Sequence, residues 1–190
     1  DCSKGKEKIL SITAIGELGA LRLHRSNAKP GDFIVTSGSH GFSRLGLALL
    51  SNEPLTDKQH ISKSLTKKAI EAHKRPSPKV EAFNQLKNSK PKDLPWRAAG
   101  TDSSDGLIEA IESICRSSKC QAQIDESILP RGPEWPAGAK WDEWCLYGGE
   151  DYELVLSLPP RWAKSFIEFS PNAKKIGEIK AGFPEIIWKN

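Results

Sequence analysis

The chain has 190 residues, with 28 Lys and Arg against 24 Asp and Glu, a net charge of +4. Charged residues at 27% and apolar residues at 37% make a globular balance. That balance excludes wholesale disorder, and the length suits one domain or one plus part of another. No apolar run approaches the roughly 18 residues a membrane helix needs, and no basic segment followed by an apolar one opens the chain as a secretory leader would.

In chain order, Lys8 to Leu18 alternates and is rich in β-branched residues, which predicts a strand. Arg22 to Lys29 is polar and runs into a turn at Pro30-Gly31-Asp32. Phe33 to Thr36 reads as a short buried strand. A glycine-rich loop, Ser37 to Gly41, then leads to a helix over Phe42 to Leu50. Ile61, Leu65, Ala69 and Ala72 make one helical stripe ending near His73, and Pro76 and Pro78 stop it. Residues 87–95 read as a solvated loop. Trp96 to Thr101 reads as a strand of small residues, followed by a helix from Leu107 to about Arg116. Residues 130–144 read as loop or short helix, and Tyr152 to Leu156 as a strand. A helix over Pro159 to Phe169 and two strands, Lys175 to Ile179 and Glu185 to Trp188, close the chain. The mixture predicts an α/β (α+β) domain, a mixed sheet packed with helices.

Four segments could carry chemistry. Asp102-Ser103-Ser104-Asp105-Gly106 places two carboxylates and two hydroxyls at a strand-to-helix junction. The carboxylates could share Mg²⁺, which takes hard oxygen ligands, and the free N–H groups of the helix start could take a phosphate. Helix capping is the competing reading, since Ser and Asp are the usual caps. Tyr147-Gly148-Gly149-Glu150-Asp151-Tyr152 offers close backbone approach beside two acids, although a Gly-Gly turn explains it alone. The loop over residues 37–46 lacks both the Walker A and the G-x-G-x-x-G patterns, so a structural turn is the better reading. Residues 57–97 carry 11 Lys and Arg against 4 Asp and Glu. The block has only Phe83 and Trp96 as aromatics, which favours a solvated face over nucleic-acid binding.

The cysteines Cys2, Cys115, Cys120 and Cys145 form no CxxC, and His24, His40, His60 and His73 do not pair with them. They read as reduced thiols of a cytoplasmic protein. His40 and His73 have no Ser or Asp at a spacing diagnostic of a triad. A chain without methionine that opens Asp1-Cys2-Ser3 reads as a piece of a longer protein.

Taken together, the segments resemble a known family. Ile12-Thr13-Ala14-Ile15-Gly16-Glu17, then Arg25 with Lys29-Pro30-Gly31-Asp32, His73 to Lys79, Asp102 to Leu107 and Tyr147 to Leu154 stand in one order. This run is similar to the thiamine-monophosphate kinases, within the superfamily of aminoimidazole ribonucleotide synthetase and selenide water dikinase. The resemblance implies a two-domain parent. Residues 1–26 would be the last strand and exit of an N-terminal ATP-binding domain, and residues 27–190 an aminoimidazole ribonucleotide synthetase C-terminal-domain-like unit lacking its final tail. It implies Asp1, Asp102 and Asp105 as Mg²⁺ ligands, Asp1, Arg25 and Ser104 as ATP contacts, and Glu150 as a contact to thiamine monophosphate. The glycines that precede the family's acid are missing before Asp1. It further implies a cytoplasmic homodimer formed through the N-terminal domain, with no nucleic-acid or membrane partner. The reaction would pass a phosphoryl group from ATP to thiamine monophosphate, and this chain alone would have little activity. Another ATP-using synthetase or dikinase of the superfamily, or a non-catalytic basic binding domain, are the alternatives.

Overall fold

The computed structural model describes residues 11–17, 19–55 and 61–189. Among these residues six strands form one sheet: β1 (Phe33–Thr36), β2 (Ala99–Asp102), β3 (Gln121–Ile124), β4 (Leu154–Leu158), β5 (Lys174–Lys180) and β6 (Ile186–Trp188). Their order is β2-β4-β1-β5-β3-β6. Every pairing is antiparallel except β3 with β6, so the sheet is mixed, as expected. The α-helices of the described residues are α1 (Phe42–Leu50), α2 (Lys63–Lys74), α3 (Val80–Asn88), α4 (Leu107–Ser118), α5 (Ala139–Tyr147) and α6 (Pro160–Phe169).

Alternation along the central strands divides the core between the two faces of the sheet. Ile34 of β1 and Val155 of β4 meet α4 through Leu107, Ile111 and Ile114. Their neighbours Val35, Leu156 and Leu158 meet Trp162 and Phe166 of α6 and Leu86 of α3. In β5, Ile176 and Ile179 both belong to the α4 side although they are three apart. A register shift opposite Ile34 and Val35 supplies the extra residue that makes this possible. A third cluster, Leu45, Ala48, Leu65, Ala69, Trp141 and Trp144, joins α1, α2 and α5.

Several expectations need correction. Residues 11–17 carry no strand, and Ile12 and Ile15 are exposed. Alternation makes a strand only where a neighbour pairs with it, and none does among the described residues; residues 8–10 and 18 of the expected strand lie outside them. The strand expected from Trp96 begins at Ala99, where pairing with Ser157 starts. Trp96 instead packs edge-on against Trp162, with ring centroids 5.1 Å apart. The strand expected over Tyr152 to Leu156 starts two residues later. Helix α3 and strand β3 were not anticipated. The solvated loop expected over residues 87–95 begins inside the last turn of α3.

Candidate functional site

Strand β2 ends at Asp102, and the loop Ser103 to Gly106 turns the chain into α4. Helix α4 has no side-chain cap, with Gly106 at its N-cap position. The capping reading of this motif therefore fails, and its acids are left for other work. The two serines divide. Ser103 is fully buried. Its Oγ accepts the Glu153 N–H at 3.1 Å and lies 3.0 Å from His40 Nε2. Its N–H donates to the Glu153 carbonyl at 2.9 Å. Ser103 thus ties the loop to the rest of the domain.

Asp102, Ser104 and Asp105 instead line a cleft of about 180 Å³ with Arg25, Thr101, Glu109, Ser113 and Arg116. Four of the six residues singled out in the sequence, Arg25, Asp102, Ser104 and Asp105, therefore meet at one place. Arg25 is held by both ends of its surroundings. Its Nε and a terminal guanidinium nitrogen donate to Thr101 Oγ1 at 3.2 and 3.0 Å. Thr101 Oγ1 in turn donates to Asp102 Oδ1 at 3.3 Å. At the far end of α4, Ser118 Oγ donates to the Arg25 carbonyl at 2.7 Å and accepts the Ala28 N–H at 3.1 Å. One helix thus presents the acids at its start and seats the arginine's backbone at its end.

Thr101, Glu109 and Arg116 belong to the cleft and were missed. Arg116 pairs with Glu109 and Glu112 on its own helix. Glu109 and Arg116 carry no signal in the sequence beyond helical spacing, which exposed ion pairs share.

Two hard-oxygen carboxylates beside a hydroxyl and an arginine suit Mg²⁺, which is commonly held by one or two carboxylates with phosphate and water completing its shell. Among the described residues no group of three or more His, Cys, Asp or Glu gathers at one point. Asp1 lies outside the described residues.

Glu150 stands apart from the cleft. Its N–H donates to the Ser104 carbonyl at 2.8 Å, so its backbone is bound to the same loop. Its side chain turns towards α2, with Oε2 3.5 Å from His73 Nδ1. The preceding glycines serve this junction. A Cβ on Gly149 would lie 2.5 Å from the Ser104 carbonyl oxygen, and one on Gly148 would lie 2.3 Å from that of Trp144. They allow backbone to meet backbone, as the turn reading expects, rather than backbone to meet ligand.

The other acids of the motif are structural. Asp151 accepts the N–H groups of Gly41 and Ser43 at 2.6 and 2.9 Å and so caps α1. Burial pushes its carboxyl up to about 6, against the pull of those two N–H groups. Glu153 accepts from Ser37 Oγ and pairs with Lys79 Nζ at 2.9 Å. These contacts occupy the glycine-rich loop over residues 37–41, which therefore works as a structural turn. His40 is buried in it, and desolvation lowers its pKa to about 4. The thiols of Cys115 and Cys145 are buried and pushed up to about 12 by desolvation, which leaves them inert.

Residues 29–189 match the family described as AIR synthase related protein, C-terminal domain. A thiamine-monophosphate kinase of Prochlorococcus marinus is 53% identical over 190 residues, 100% of this chain and 57% of the relative. One of Synechococcus elongatus is 39% identical over 181 residues, 94% of this chain and 54% of the relative. The chain thus spans little more than half the length of these curated relatives. Among solved structures, a thiamine-monophosphate kinase from Stenotrophomonas maltophilia superposes with a TM-score of 0.73 at 23% identity, over 90% of this chain and 54% of that one. A structure described as AaThiL complexed with AMPPCP and TMP gives 0.68 at 25% identity, over 87% and 50%. With its mixed sheet, its helices on both faces and a match over residues 29–189, the chain belongs to the AIR synthase related C-terminal domain family.

Proposed function

We propose that the full-length protein transfers the γ-phosphoryl group of ATP to the phosphate of thiamine monophosphate, giving thiamine diphosphate. The observation that carries this reading is the meeting of Arg25, Asp102, Ser104 and Asp105 in one cleft. Its support is the 53% identity to a thiamine-monophosphate kinase over the whole chain. Phosphoryl transfer asks little covalent chemistry of a protein; it asks for positioning and for neutralised charge. Two anionic phosphates must approach each other, and their repulsion is the main obstacle. Arg25 would donate to phosphate oxygens as a fork, exchanging its Thr101 contact for a charged partner. Ser104 would donate a hydrogen bond to ATP. Asp102 and Asp105, with Asp1, would hold Mg²⁺, which would offset the phosphates' charge when bound. The attacking group is already an anionic oxygen, so no strong general base is required. Glu150 would meet the thiamine part of the acceptor, outside the phosphate cleft.

In this reading residues 27–190 are the C-terminal module and residues 1–26 lead in from an ATP-binding domain through which the protein dimerises. The protein would act in the cytoplasm, without a nucleic-acid or membrane partner. No described helix is long and apolar enough to cross a membrane.

The test is product formation. The full-length protein and residues 1–190 are each incubated with ATP, Mg²⁺ and thiamine monophosphate, and thiamine diphosphate is assayed. Product is expected from the full-length protein and little or none from the shorter chain. Asp102→Ala and Asp105→Ala should each abolish turnover while leaving thermal unfolding near wild type, because both side chains face the cleft. Full activity in either variant sinks the reading.

A further inference from the structure

The two neighbouring acids Glu150 and Asp151 face opposite ways. Asp151 turns inward onto the first turn of α1, whereas the Glu150 side chain remains 59% exposed. Beside Glu150 lies His73, in the last turn of α2, with Nδ1 3.5 Å from Glu150 Oε2. The same nitrogen lies 3.0 Å from Ser43 Oγ. Nδ1 thus stands between a buried hydroxyl that fixes the ring and a carboxylate that faces solvent.

The place of His73 is built by α1. Ser43 and Gly46 lie one turn apart on the face of α1 that meets α2. A Cβ on Gly46 would lie 2.1 Å from the Ala69 carbonyl oxygen and 2.8 Å from His73 Cβ. The missing side chain lets α2 rest directly on α1 and brings His73 over Ser43. The Glu150 backbone is fixed as well, by the Ser104 carbonyl and by a left-handed φ of 65°. The side-chain torsions remain, and His73 lies against the carboxylate they carry.

We propose that His73 is a positioning residue for Glu150, holding its carboxylate in the orientation that receives the cationic, amine-bearing organic part of thiamine monophosphate. This rests on the proposed function, in which Glu150 meets that part of the acceptor. A glutamate side chain free in solvent loses rotamer freedom when a ligand arrives. One already held by His73 has lost that freedom beforehand, so the ligand binds more tightly. His73 itself need not touch the substrate.

The test uses the full-length protein with ATP and Mg²⁺, reading KM and kcat for each substrate. His73→Ala should raise KM for thiamine monophosphate roughly 3- to 10-fold and leave KM for ATP unchanged. His73→Asn places an amide nitrogen near the position of Nδ1 and should restore most of the loss. His73→Gln places it near Nε2 and should not. The double variant His73→Ala with Glu150→Gln should be no worse than Glu150→Gln alone, because the two act through one carboxylate. Equal rises in both KM values, no rise at all, or effects that multiply in the double variant overturn the proposal. If Glu150→Gln by itself leaves KM for thiamine monophosphate unchanged, the reading of Glu150 falls and this one with it. If Glu150→Gln raises it and His73→Ala does not, only the role of His73 is refuted.

Discussion

Adjacent serines in the β2–α4 loop have opposite duties. Ser103 Oγ sits among buried polar groups, meeting the Glu153 N–H and His40 Nε2. Ser103→Ala leaves both without their partner, and an unsatisfied buried group costs about 1–3 kcal/mol. Denaturant unfolding should show that loss. Ser104→Ala should stay within about 0.5 kcal/mol of wild type, as substitutions at a cleft surface outside the packed core do, and should instead raise KM for ATP. The reverse ranking of stabilities would mean the loop is misread. The sequence showed that Asp102, Ser103, Ser104 and Asp105 stand at a strand-to-helix junction. It did not show which hydroxyl points inward. That depends on His40 and Glu153, which are 63 and 50 residues away from Ser103. Glu150 carries the same lesson. Its chemistry was legible, but its partner His73 comes from another helix across a contact that only the packing of α1 on α2 creates.

At the scale of elements, the sequence was informative where burial leaves a period. Helix α4 buries Leu107, Ile108, Ile111, Ile114 and Cys115 along one face, and that stripe is plain in the chain. Helix α3 buries only Leu86 fully, so its pattern is faint. Strand β3 is four residues, Gln-Ala-Gln-Ile, and takes its stability from lying between β5 and β6. Neither contains enough apolar residues to declare itself. The glycine pair before Glu150 was legible as a turn, but its role as a close junction between two loops was not. That junction gives a prediction. Gly149→Ala places a Cβ 2.5 Å from the Ser104 carbonyl oxygen, a backbone atom that cannot yield as a flexible side chain would. The two loops must separate, at a cost of about 1–3 kcal/mol for overpacking. Unfolding should register that cost, and the Glu150 N–H should lose its protection from hydrogen exchange. Wild-type protection in the variant would show that the loops are not coupled through this contact.

Over the whole molecule, two buried titrating groups oppose each other through the same loop. His40 falls from 6.5 to about 4 by desolvation. The unfolded chain therefore binds its proton first, and stability is lost as pH falls from about 6.5 to about 4. Asp151 rises from 3.8 to about 6 by burial. Here the folded chain binds the proton first, so stability is gained as pH falls from about 6 to about 4. Each shift corresponds to about 3 kcal/mol when fully developed. Between pH 4 and 6 the two nearly cancel, and together they should contribute little net slope to the wild-type profile. Single substitutions expose each half. His40→Asn should lose stability overall, since it disturbs the Ser103 contact, yet its deficit against wild type should shrink as pH drops from 6.5 to 4. Asp151→Asn keeps one acceptor oxygen for the two N–H groups and removes the titration, so beyond a constant loss its stability relative to wild type should fall as pH drops over the same range. Unfolding in urea at half-unit pH steps measures both. Parallel profiles for wild type and the two variants would mean that neither group titrates between pH 4 and 6.5 in a way that depends on folding.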